Sequence, residues 1–198
     1  MLRSFPRFDT QFDVLVRDGR SFRIEQISIA NATSLRQSLP RLEARGAADR
    51  PSLEERLDAW QVQELLGRSP TDYALWAARA ETTEAFAGVA GYAPAGAMTG
   101  RVTAFVAFDP DAAAPGLARL LFETVTLVAL LHGVQRLDIA LRPGDLELRQ
   151  FVSDVEGLMH PSAPDRLDCT LDLVRRRKLK TSLEFPAPVA RIRRAHRG

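Results

Sequence analysis

Apolar and polar positions along this chain predict a succession of short strands interrupted by helices. Phe12-Asp13-Val14-Leu15-Val16 and Ser21-Phe22-Arg23-Ile24 read as two short strands, and Asp18-Gly19 between them is the residue pair that a tight hairpin turn favours. Leu35, Leu39 and Leu42 follow on a helix for which Asn31 is the expected cap, with Pro40 ending or kinking it. After a looser Gly/Ala/Asp stretch at 46–51, Ser52-Leu53-Glu54-Glu55 forms a capping box. A stripe of Leu53, Leu57, Trp60 and Leu65 and a closing Gly67 complete that helix. The runs 72–79 and 84–92 predict two antiparallel strands. Gly88 and Gly91 weaken the second unless something approaches its backbone closely.

The centre of the chain is the most apolar. Arg101-Val102-Thr103-Ala104-Phe105-Val106-Ala107-Phe108 reads as a strand covered on both faces, and so central in its sheet. From 116 to 132, Leu117, Leu120, Leu121, Val125, Val128 and Leu131 recur at three and four, the stripe of a deeply packed helix. A strand over 134–142, a helix capped by Asp145 with Leu148, Phe151, Val152 and Val155 inward, and a last strand over 167–174 complete the order. There is no internal repeat.

Composition narrows the class. With 198 residues and 45% hydrophobic content, one domain with a real core is expected, spanning 1–174. No run of roughly 18 or more apolar residues is present to cross a membrane. Residues 1–10 lack the apolar region of a secretory signal, so a cytoplasmic location is expected. Cys169 is the only cysteine, which excludes an internal disulfide and any cysteine-cluster metal site. His132, His160 and His196 lack metal-ligand spacing, so no metal is expected. The formal charge of +2 hides an asymmetry. Residues 175–198 hold nine Lys/Arg and one acid, leaving 18 basic and 24 acidic residues in 1–174. Such a basic C-terminal tail could grip nucleic acid by releasing counterions, although it has neither aromatic interleaving nor a recognition-helix pattern. Only Lys178 and Lys180 among the basic residues are lysine, the coding bias of a GC-rich bacterium.

The candidate chemistry lies in Asp109-Pro110-Asp111-Ala112-Ala113-Ala114-Pro115-Gly116-Leu117-Ala118, between the most buried strand and the most buried helix. Such a turn presents backbone amides at a helix N-terminus, where orphan donors and the helix dipole favour an anion. Its short side chains leave room for a diphosphate to approach the main chain. Ala107-Phe108-Asp109-Pro110 followed by Ala113-Ala114-Pro115-Gly116-Leu117-Ala118-Arg119 resembles the GNAT N-acyltransferase pattern. In that pattern a strand ending in an Asp-Pro-like pair runs into Arg/Gln-x-x-Gly-x-Gly/Ala and a helix. Gly133-Val134, the strand after it, and Asp145 in place of the usual Asn fall in the same register.

The resemblance implies a mixed α/β fold: a mostly antiparallel sheet of six or seven strands with a splayed parallel pair and helices on both faces. It further implies that Val106, Ala107 and Phe108 pair with the pantetheine of an acyl-CoA. Ala113, Ala114, Gly116, Leu117, Ala118 and Arg119 are then expected around the pyrophosphate, with Asp145 nearby. The implied activity is transfer of an acyl group, acetyl first among them, from acyl-CoA to a primary amine of a small molecule or a protein lysine. A homodimer is a further implication. Two departures stand out: Ala113 replaces the loop Arg/Gln, and Val152 stands where many members carry a tyrosine that protonates the leaving thiolate. For catalysis the remaining candidates are Glu84, at the start of a strand facing the cleft, and Tyr92, which with Tyr73 makes up the tyrosines of the chain. Two rival functions stay open, a catalytically silent CoA sensor or docking module and a nucleic-acid accessory protein working through the tail.

Overall fold

The computed structural model describes residues 11–16, 18–45, 58, 73–80, 85–95, 100–112 and 114–174. The expected helix at 52–67 except for residue 58, together with Glu81, Glu84, Ala113 and the tail 175–198, lies outside the described residues. Strands β1 (Gln11–Leu15) and β2 (Ser21–Gln26) form the expected hairpin, with Gly19 at φ +83° in its turn. Helix α1 (Ile29–Ser38) is capped by Ser28, three residues before the expected Asn31. Asn31 lies in its first turn, where its Oδ1 accepts the Ser28 amide at 2.6 Å. A 3-10 turn over Leu39–Arg41, with Pro40 inside it, ends that helix. Strand β3 (Glu43–Arg45) follows, then β4 (Ala74–Ala80), β5 (Phe86–Pro94) and β6 (Arg101–Phe108). Helix α2 (Leu117–Leu131), β7 (Arg136–Leu141), α3 (Leu146–Asp154), β8 (Leu158–Ala163) and β9 (Arg166–Asp172) complete the order.

The strands build one nine-stranded sheet in the order β1-β2-β4-β5-β6-β7-β9-β8, with β3 attached to β6 off that path. Six or seven strands were expected. The two additions are the three-residue β3 and the edge strand β8, whose residues are all exposed and include Pro161. Every pairing is antiparallel except β6 with β7. That parallel pair is short, joining Arg101, Val102 and Thr103 to Arg136, Leu137 and Asp138, after which the described strands part.

Helices cover both faces. Val102, Ala104, Val106, Leu137, Ile139, Cys169 and Leu171 pack in one core with Leu117, Leu121 and Val125 of α2 and Phe151 and Val152 of α3. Leu35 of α1 and Leu42 pack on the other face against Leu75, Phe86, Val89 and Ala107. The period of two sends alternate strand residues to these two cores.

Gly91 shows why β5 carries glycines: an added Cβ would lie 2.5 Å from the Ala74 carbonyl oxygen and 2.9 Å from the Phe105 ring. Gly91→Ala should therefore lower unfolding free energy by about 1–3 kcal/mol, the usual cost of overpacking. Gly144→Ala, where an added Cβ meets nothing within 4 Å, should change it by less than about 0.5 kcal/mol. Urea denaturation of the two variants checks the contrast.

Candidate functional site

Where β6 and β7 part, their carboxyl ends lead into two helix N-termini. A crevice at diverging parallel strands is where open α/β sheets place ligands. Here it is a cleft of about 340 Å3, lined on one side by Phe108, Ala114, Pro115 and Ala118 and on the other by residues 144–148. The loop is shaped by its own polar groups. Asp109 is buried, its Oδ1 accepting the Asp111 amide at 3.0 Å and its carbonyl accepting the Ala112 amide at 3.2 Å. Gly116 caps α2 at φ +92°, a conformation that glycine adopts without Cβ strain. The Leu117 amide donates to Ala114 O at 3.0 Å and the Leu120 amide to Gly116 O at 2.9 Å. Ala118 and Arg119 occupy the helical turn whose amides have no intrahelical acceptor.

Among the expected contacts, Ala114, Ala118, Phe108 and Asp145 line the cleft. Gly116 stands at its rim, with its amide donating at 2.9 Å to Oε1 of Glu147. Asp145 is the N-cap of α3 by position, but its carboxylate turns back to accept the Arg142 amide at 2.8 Å instead of capping the helix. Leu117 is 1% exposed and points into the core, so only its backbone belongs to the loop.

The Arg119 side chain is engaged within the two helices. Its Nε donates to Glu123, which is fully buried, and a terminal nitrogen lies 2.8 Å from Asp154. The guanidinium also sits 5.7 Å above the Phe151 ring. Burial opposes its charge, yet the bonds to Glu123 and Asp154 hold its pKa above the ordinary arginine value. The Asp154 carboxyl is in turn held low by bonds from Gln150 and Arg119. That link is present at neutral pH and lost as pH falls through the depressed value.

The strand edge assigned to pantetheine is also different from the expectation. Val106, Ala107 and Phe108 pair with Ala90, Val89 and Gly88 on one side and with Arg45, Ala44 and Glu43 of β3 on the other. The short β3, between a 3-10 turn and a polar stretch, carries no periodic signal in the sequence. Tyr92 is not open to the cleft. It is 1% exposed, and its hydroxyl lies 2.7 Å from Nδ1 of His132 at the C-terminal end of α2. That end is roughly 22 Å from Gly116 at 1.5 Å per residue. Val152 is buried in the α3 core and Tyr73 is half-buried against the α1 core.

One carboxylate of β7, not named from the sequence, sits where the two strands part. Asp138 is in the last parallel pair before the strands part, opposite Thr103, and lies between the core residues Leu137 and Ile139. It therefore faces away from α2. It accepts Thr170 Oγ1 at 2.7 Å and bonds Arg101 Nε. An acid set between two apolar residues after the long helix was the available sequence signal.

No protein-family model and no curated protein sequence matches the chain. Solved structures do. The GNAT domain of S. lividans PAT superposes with a TM-score of 0.61 at 18% identity, over 82% of this chain and 96% of that one. The chain has the GNAT fold. The ribosomal-protein-S5-alanine acetyltransferase from Vibrio fischeri gives 0.61 at 11% identity over 87% and 100% of the two chains. The protein yncA from Salmonella typhimurium, solved with its cofactor acetyl-CoA, gives 0.57 at 14% over 81% and 98%. The sheet with one parallel pair and flanking helices agrees with the GNAT architecture inferred from the sequence. Among the described residues no helix is long and apolar enough to cross a membrane, and no group of three or more His, Cys, Asp or Glu is arranged to hold a metal.

The Arg119 network gives a test of role. Arg119→Met should cost about 3 kcal/mol by removing the cation beside a buried carboxylate, and Arg119→Met/Glu123→Met should recover most of it. Urea denaturation reads both. Unchanged stability of the single variant would mean that the guanidinium serves the cleft instead.

Proposed function

We propose that the chain is an acyl-CoA-dependent N-acyltransferase, with acetyl-CoA as donor and a primary amine of a small molecule or protein lysine as acceptor. The observation that carries the reading is the cleft at the β6–β7 fork, with short side chains at Ala114, Pro115 and Ala118 and the N-terminus of α2 beside it. The GNAT fold and the acetyl-CoA bound by yncA support the same donor. In this reading the amides near Gly116, Ala118 and Arg119 hold the diphosphate. The edge of Val106, Ala107 and Phe108 pairs with the pantetheine, and Ala113, Ala114 and Leu117 supply the loop backbone. Binding at the fork brings the thioester to the acceptor and removes the entropic cost of a bimolecular encounter. The amine nitrogen forms a bond to the thioester carbonyl carbon, the C–S bond breaks, and the nitrogen loses a proton as the thiolate gains one.

Asp138 is the carboxylate closest in register to the fork. Already holding two donors, it suits an anchor for the acceptor's ammonium. Asp138→Asn should raise the amine KM about tenfold or more while leaving acetyl-CoA affinity unchanged, as initial-rate kinetics and calorimetry would show.

A second reading, a catalytically silent CoA-binding module, is favoured by one observation: neither tyrosine lines the described cleft. Calorimetry with acetyl-CoA, followed by thiol release across polyamines, amino acids and lysine peptides, separates the two. Ala118→Glu should weaken acetyl-CoA binding at least tenfold. A carboxylate in a first helical turn is compatible with the helix, so lost binding would report the blocked cleft. Thiol release with any amine supports the enzyme, and binding without release across the panel supports the module. Cys169 will not obscure that assay, because burial pushes its thiol up to about 11. It stays neutral at pH 8 and should react with a disulfide reagent only on unfolding.

A further inference from the structure

Two contacts in the cleft share one consequence. The β6 edge at Val106, Ala107 and Phe108 is already paired, because Glu43, Ala44 and Arg45 run antiparallel along it. The Gly116 amide, at the positive end of α2, is already taken by the Glu147 carboxylate at 2.9 Å. An extended amide chain would need the first position and a phosphate the second. The chain thus supplies from its own sequence a strand where pantetheine would pair and an anion where a diphosphate would bind.

We propose that the free protein occludes its own cosubstrate cleft, and that loading an acyl-CoA requires β3 to leave the β6 edge and Glu147 to leave Gly116. This rests on the acyl-CoA reading and deepens it. Both stoppers are built to be exchanged. β3 is three residues long, and its ladder can be replaced by the same kind of main-chain bonds from a ligand that adds as a strand. It is tethered by Leu42, buried in the α1 core, and by Arg41, 3.9 Å from Asp109. Glu147 is exposed on the first turn of α3, so its carboxylate can move into water without unfolding the helix. Because the competent state is only part of the population, apparent affinity is reduced by that fraction.

The two stoppers respond to different parts of the ligand, which makes them separable. Glu147→Ala should tighten CoA binding about three- to tenfold at low salt, less at high salt, and leave pantetheine, which lacks the diphosphate, unchanged. Arg45→Pro, which removes the strand donor opposite Val106, should tighten both. Hydrogen exchange of the wild-type chain should show the amides of Glu43 and Arg45 losing protection on CoA binding while those of 106–108 keep theirs. Titration calorimetry and exchange together decide the matter. If CoA binds while Glu147→Ala has no effect and the Glu43 and Arg45 amides stay protected, the occlusion is overturned and the acyl-CoA reading survives. If neither wild type nor either variant binds CoA, both fall. Binding by the variants alone supports both.

Discussion

A backbone that leaves a sheet must find new partners for its amides and carbonyls, and that requirement governs the centre of this protein. β6 and β7 run parallel for three residue pairs and then part. Beyond Thr103 the outer edge of β6 faces the widening gap, where unpaired polar groups would be costly if buried. The chain meets part of that demand with β3 and, at the helix mouth beyond, with Glu147. A ligand carrying amides at one end and phosphates at the other would meet it equally well. The geometry that would suit the fork to a ligand also makes it a place where the protein binds itself.

The rest of the fold keeps the fork in position. α2 packs along one face of the sheet and α3 crosses it at Phe122 and Phe151, whose rings meet edge to face 5.4 Å apart. Arg119 joins the two helices by bonding Glu123 within α2 and Asp154 at the end of α3. The pair of helix N-termini that faces the cleft is therefore held by apolar packing and by a partly buried ionic link. Removing the guanidinium for use by a ligand would leave a buried carboxylate behind. On the opposite side of the sheet, Asp138, Thr170 and Arg101 form a small polar network at the same fork. In the proposed reading, acyl donor and acceptor amine approach one point from different sides.

Much of this was legible in the sequence because strong local signals agreed with the tertiary outcome. The Asp18-Gly19 hairpin, the run 101–108 and the stripe from Leu117 to Leu131 each carry a period or a turn that admits one reading. Of the residues named from the loop pattern, Phe108, Ala114, Ala118 and Asp145 line the cleft. The occupants of the cleft were not legible, since β3 has no periodicity and Glu147 resembles any exposed acid in a first helical turn. Arg119 was assigned to a ligand because chain order put it beside the loop. Its rotamer follows from Glu123, one helical turn away, and from Asp154, 35 positions on. Tyr92 was proposed for its phenol, but the strand alternation that buries it against α2 also directs its hydroxyl to His132. Ser28 became the N-cap of α1, with Asn31 bonding back to it, because either residue type can begin a helix and spacing alone does not choose.

The most direct test is an amide-resolved NMR titration of the full chain with acetyl-CoA. The resonances of Gly116, Ala118 and Arg119 should move together and saturate, with those of Val106, Ala107 and Phe108 following at the same ligand concentration. Saturable shifts confined to another surface, or no shifts at millimolar acetyl-CoA, would contradict a cosubstrate site at the β6–β7 fork.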